Sequence, residues 1–137
     1  MLTRRKITIR VVALLTACLT VDSKAQEYSQ VYRIYFRWNS AVLRPNMRKL
    51  VFEAAQYAKY YQSSRVAVTG YTDTSMSDAE SRAISIRMAQ AVADELTKHG
   101  VARDILVIRG MGEEYLFEAT ADGVLKSKNR RVEIAIQ

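Results

Sequence analysis

The side chains able to do chemistry in this 137-residue chain are few, and two carboxylates stand out. Asp73 lies in the run Gly70-Tyr71-Thr72-Asp73, and Asp78 follows at a helix start. Paired carboxylates are the raw material of general acid–base work. Simpler roles also suit them. Asp73 can shape its own turn by accepting from backbone N–H groups, and Asp78 can complement a helix dipole. The only histidine, His99, precedes Gly100 and reads as a partner for a helix end. No second histidine accompanies it to build a zinc site or a nucleophilic dyad. Gly110-Met111-Gly112 lacks the third glycine and following helix of a dinucleotide site. We expect neither catalysis, nor a metal, nor a cofactor. Asp73 sits in a loop that opens onto a helix N-terminus, where backbone N–H groups converge and chemistry often gathers.

The elements that position Asp73 follow from periodicity. Val66, Val68 and Thr69 supply β-branched residues for a strand over 65–71, with Gly70 at its exit. Ser77 and Glu80 have capping-box spacing, so a helix should run from Asp78 to His99, ended by Gly100 in the left-handed conformation. Ile84, Met88, Ala91, Val92 and Leu96 mark its apolar face. Upstream, Val31 to Trp38 alternates, placing Tyr32, Ile34, Phe36 and Trp38 inward. Pro45 suits the first turn of a helix running to Gln62, with Met47, Leu50, Val51, Ala54, Ala55, Ala58 and Tyr61 on its core stripe. Tyr57 and Tyr60 fall beside that stripe, as core edge or as a protein contact. Ile105 to Arg109 reads as a buried strand, residues 113–128 as loop with one helical turn, and Arg130 to Ile136 as the last strand. The resulting order, β-α-β-α-β-β, predicts an α/β fold (an α+β sandwich) with a mixed four-stranded sheet and both long helices on one face.

Charge is concentrated at the start of the chain. Residues 1–25 hold Arg4, Arg5, Lys6, Arg10 and Lys24 against Asp22, so most of the net charge of +7 lies there. The remainder gives little reason to expect nucleic-acid binding. Positive residues followed by apolar Val11 to Val21 have the anatomy of a secretory signal, too short to span a bilayer. Two cleavage readings stand open. Leu15-Thr16-Ala17-Cys18 is similar to a lipobox that would lipidate Cys18, and Ser23-Lys24-Ala25 is an ordinary small-x-small site. On either, the mature chain has no thiol chemistry, because Cys18 is the only cysteine. We divide the chain into a signal over 1–25, a short tether over 26–30 and a domain over 31–137.

Three motifs in order carry a resemblance. Gly70-Tyr71-Thr72-Asp73, then Ile84-Ser85 with Ala89, then Asn129-Arg130-Arg131-Val132-Glu133-Ile134 resemble the OmpA-like, peptidoglycan-associated domain family. The likeness spans roughly Tyr32 to Gln137 and implies that fold. It implies a non-catalytic module on the periplasmic side of the outer membrane that holds peptidoglycan by the diaminopimelate of a stem peptide. In the family the turn aspartate takes the ligand's ammonium, and a helix arginine takes its carboxylate in a charge-assisted fork. Asp73, beside Thr72, matches the aspartate. The arginine position is Met88, which offers no donor. Arg87 is adjacent, but one residue rotates a side chain about 100° around the helix. Met76 and Ser81 stand where the family has glycine and asparagine. Losing one charge-assisted bond costs about 1.5–3 kcal/mol, roughly one to two decades of affinity. Arg130 or Arg131 is the candidate to restore it, and a buried structural pair is the other role open to them. A lipidated Cys18 would add the outer membrane as a partner. The competing reading is a degenerate domain that has lost wall binding and serves envelope protein–protein contact.

Overall fold

The computed structural model describes residues 30–137. The signal over 1–25, Cys18 with both cleavage readings, and residues 26–29 of the tether lie outside the described residues. Gln30, placed in the tether from sequence, is the first residue of a strand.

Four strands and two long helices follow in the order β1 (Gln30–Tyr35), α1 (Pro45–Tyr60), β2 (Val66–Tyr71), α2 (Asp78–Lys98), β3 (Leu106–Gly110) and β4 (Arg131–Ile136). Short 3-10 turns cover Arg103–Ile105 and Ser127–Asn129. The sheet order is β1-β4-β2-β3. The last strand inserts between the first two, antiparallel to both, while β2 and β3 run parallel across the α2 crossover. Both helices pack on one face, where Ile34, Val66, Val68, Val132, Ile134 and Ile136 meet Val51, Ala54, Ala55, Met88, Val92 and Leu96 in one core.

Several details depart from the alternation rule. β1 leaves the sheet after Tyr35, and its inward set ends at Phe36. Trp38, expected inside, is half exposed, and Asn39 turns the chain with a φ of 46°. α1 stops at Tyr60 rather than Gln62, so Tyr61 points outward while Tyr57 packs against the core. β3 begins at Leu106 and is an edge strand, half-buried rather than buried.

The turn bearing Asp73 is held from both sides. Ser77 Oγ accepts from the Glu80 N–H, and Glu80 returns a carboxylate oxygen to the Ser77 N–H, a complete capping box. α2 then lies directly on the strands. A Cβ on Gly70 would collide with the Ser85 carbonyl, and one on Gly110 would sit 2.6 Å from the Ile86 nitrogen. Glycine at both positions sets the height of α2 over the turn. Gly70→Ala should therefore cost about 1–3 kcal/mol by overpacking, and Ser77→Ala about 1 kcal/mol by loss of the cap. Urea midpoints measure both, and an unchanged midpoint for Gly70→Ala contradicts the close approach.

Candidate functional site

Asp73 is the second residue past β2, at that strand's carboxyl end, and its side chain is fully buried. Both carboxylate oxygens are doubly occupied. Oδ1 accepts from Ser75 Oγ at 2.5 Å and from the Ser75 N–H at 3.2 Å. Oδ2 accepts from Arg130 Nη1 at 2.7 Å and from the Lys126 N–H at 3.0 Å. A carboxylate has about four acceptor sites, so an ammonium would have to displace one of these donors. Burial pushes the Asp73 carboxyl up. The hydrogen bonds from the Ser75 hydroxyl, Arg130 and the Lys126 and Ser75 N–H groups outweigh it, and the net shift is downward.

Arg130 is the other half of this centre. Its guanidinium is mostly buried, 14% exposed against 0% for Asp73. Nε donates to the Phe36 carbonyl at 3.3 Å, and the Arg130 carbonyl accepts from the Phe36 N–H at 3.0 Å. One residue thus ties the β2 turn to the end of β1. The long β3–β4 loop is drawn in by the same turn. Thr74 Oγ1 donates to the Ala121 carbonyl at 2.8 Å and accepts from the Val124 N–H at 3.1 Å. Buried Asn129 closes the loop by exchanging two 2.8 Å bonds with the Glu118 backbone.

The other sequence candidates lie elsewhere. Thr72 is buried, with its N–H on the Gly112 carbonyl and its hydroxyl without a partner among the described residues. Arg131 points to the sheet face away from the helices. There it pairs with Glu133 at 3.0 Å and stacks 4.1 Å from the centre of the Tyr71 ring. Both arginines thus sit in an ion pair with a carboxylate, Arg131 with Glu133 and Arg130 with Asp73. Arg87 is exposed on α2, and Met88 is 2% exposed within the core. The structure brings Asp73, Arg130 and the backbone of Thr72 together, and separates Arg87 and Arg131 from them. His99 closes α2 against Glu95 at 3.2 Å and Phe52.

Two features were missed from sequence. A cavity of about 420 Å³ opens at this end of the sheet, and Arg130 lines it together with Arg37, Arg44 and Lys128. Among the described residues, no acidic one lines it. The signal was present: no Asp or Glu occurs between Glu27 and Glu53, while Arg33, Arg37, Arg44, Arg48 and Lys49 do. Near the α2 start, burial, a hydrogen bond with Asp78 and the charges of Asp78, Asp122 and Asp73 push the Glu113 carboxyl up. The site therefore has a cationic cavity and a separate acidic lip. Trp38 joins the turn to this rim by donating from Nε1 to Ser75 Oγ at 2.9 Å.

The model of the OmpA family matches residues 35–130. An outer membrane protein of Gluconacetobacter diazotrophicus is 35% identical over 114 residues, 79% of this chain and 30% of its own length. The peptidoglycan-binding protein ArfA of Mycobacterium bovis is 33% identical over 103 residues, 75% of this chain and 32% of its own length. The chain thus spans about a third of the curated relatives it matches. Among solved structures, the peptidoglycan-associated lipoprotein of Burkholderia pseudomallei superposes with a TM-score of 0.70 at 24% identity, covering 77% of this chain and 89% of that one. The cell wall anchor of the Pseudomonas aeruginosa type VI secretion system (T6SS) gives 0.62 at 27% identity, covering 77% and 79%.

Because the folded pKa of Asp73 is depressed, its contribution is complete above the unfolded value, about pH 4, and is lost as pH falls through the folded value. Asp73→Asn should cost roughly 3 kcal/mol at pH 7 by leaving Arg130 unpaired. Urea titrations at pH 7 and at pH 3 check this: the gap between wild type and variant should shrink on acidification. A gap independent of pH contradicts the buried pair.

Proposed function

The chain belongs to the OmpA family, and from that premise we propose that its domain binds peptidoglycan without catalysis, through a stem peptide, on the periplasmic side of the outer membrane. The observation that carries this reading is the Asp73–Arg130 pair, set in the family's turn and opening onto a cavity at the end of the sheet. ArfA and the T6SS wall anchor, both named for the cell wall, support it as relatives. None of the described helices is long and apolar enough to cross a membrane. Lipidation of Cys18 would let one chain bridge membrane and wall, and export over residues 1–25 would deliver it there.

The details of the grip differ from the family's expected pair. Met88 supplies no guanidinium, and the lone pairs of Asp73 are already occupied. Arg130 takes over the role of the forked donor, since its Nη2 meets no protein acceptor among the described residues. The ammonium of diaminopimelate has the acidic lip of Asp78, Glu113 and Asp122 as its partner. Burial first, then the hydrogen bond and charge of Asp78 and the charges of Asp122 and Asp73, raise Glu113, and a bound cation there would offset the charge part of that rise. This is recognition of a zwitterion by two separated patches rather than by one aspartate and one helix arginine.

The same occupied Asp73 and buried Met88 favour a second reading, a domain that has left wall binding for protein–protein contact. Exposed Tyr60 and Tyr61 at the end of α1 offer a surface for it. Sedimentation with purified sacculi separates the two. The folded chain should co-sediment at low salt, and Arg130→Gln should reduce the bound fraction about tenfold, one lost charge-assisted contact. A thermal melt of the variant controls for folding. Wild-type protein that is folded yet stays in the supernatant supports the second reading.

A further inference from the structure

We propose that the cavity beside Arg130 is an anion subsite that takes a free carboxylate of the wall peptide, with Arg37 and Arg44 as its ligand-binding residues. The inference rests on the peptidoglycan reading and adds to it the chemical class of the group bound and the residues that select it. Its basis is the imbalance of charge in one cavity. Among the described residues, four cations line a space of about 420 Å³, and no carboxylate does. Two are already compensated from outside the cavity, Arg130 by Asp73 at 2.7 Å and Lys128 by Glu118 at 3.1 Å. Arg37 and Arg44 have no carboxylate partner among the described residues. Two positive charges are left facing the same space.

Arg44 carries a second, independent sign. Its Nε is buried and meets no acceptor among the described residues. Buried donors are normally satisfied, by protein, water or a bound group. Arg44 is also the residue at the N-cap of α1, where no side chain caps the helix and the first turn holds no acid. The partial positive charge of that terminus adds to the guanidinium. A carboxylate in the cavity would meet the planar forks of Arg37 and Arg44, which are suited to bidentate contact. The apolar walls, Tyr35 and Phe36, shield the contact from water on the strand side.

The choice of carboxylate over phosphate follows from the wall reading, since a stem peptide bears several free carboxylates. It predicts discrimination between stem peptides whose carboxyls are free and those whose carboxyls are amidated. Neither arginine holds another side chain in place, so their replacement should leave the fold intact.

The test is a titration of the full chain with two soluble probes, followed by the fluorescence of Trp38, the only tryptophan, which lies next to Arg37 and is half exposed. One probe is L-Ala-γ-D-Glu-meso-diaminopimelate with free carboxyls, and the other is the same tripeptide amidated. The free acid should bind about tenfold more tightly than the amide. Arg37→Gln with Arg44→Gln should abolish that preference, and Arg37→Gln alone should halve it or more. Equal affinity for the two probes, or a preference that survives the double variant, overturns the proposal. So does inorganic phosphate competing better than the free acid. Sacculus co-sedimentation of the double variant separates this claim from the wall reading. Retention equal to wild type removes the carboxylate subsite and leaves wall binding standing, whereas loss of retention in wild type itself removes both.

Discussion

One buried ion pair governs the end of the molecule where function is proposed. Asp73 and Arg130 sit 57 positions apart in the chain and 2.7 Å apart in space. Burying a single carboxylate would be prohibitive, and a paired one is tolerable only when its remaining lone pairs are filled. Here the Ser75 hydroxyl and two backbone N–H groups fill them. The consequence is architectural. The β2 turn, the end of β1 and the last turn before β4 are fastened to one charge, and the loop over 111–130 is laid across them. Arg130 is thereby presented at the cavity with one face of its guanidinium committed and the other free.

That arrangement changes what the turn aspartate does. A carboxylate waiting for a ligand must keep an open lone pair, and Asp73 keeps none. What it does in the structure is hold Arg130 in place, and on the proposed reading that makes it a positioning residue. Met88 fits the same logic. With a methionine in the core at that place on α2, the helix contributes packing where a forked donor is expected, and on the proposed reading the cation is Arg130, in the turn before β4. On the proposed reading the recognition chemistry would be kept in kind, a guanidinium for a carboxylate, with its address moved from a helix to the turn before β4.

The elements were legible from sequence because they rest on local rules. The Ser77–Glu80 box fixed the start of α2, Gly100 takes a φ of +92° just past its end, and Val132, Ile134 and Ile136 alternate into the core as their spacing requires. The errors fall where a local rule meets a tertiary boundary. Trp38 obeys the alternation of β1, but the strand has already left the sheet. Tyr61 obeys the helical stripe, but α1 has already ended. The site was only half legible for a related reason. Asp73 could be found from its turn, but nothing in periodicity announces a partner across the loop or says that the carboxylate is saturated. The cationic cavity was visible only as a run without acids, whose convergence at one end of the sheet depends on how β1, α1 and β4 meet.

The most direct test of this account is nuclear magnetic resonance of the side chains themselves during titration with a free-acid stem peptide. The account predicts that the guanidinium signals of Arg130, Arg37 and Arg44 move on binding while the Asp73 carboxyl carbon stays where it is, still held by Ser75 and Lys126. A displaced Asp73 carboxyl signal with unmoved arginines would mean that the aspartate greets the ligand after all, and would contradict the account.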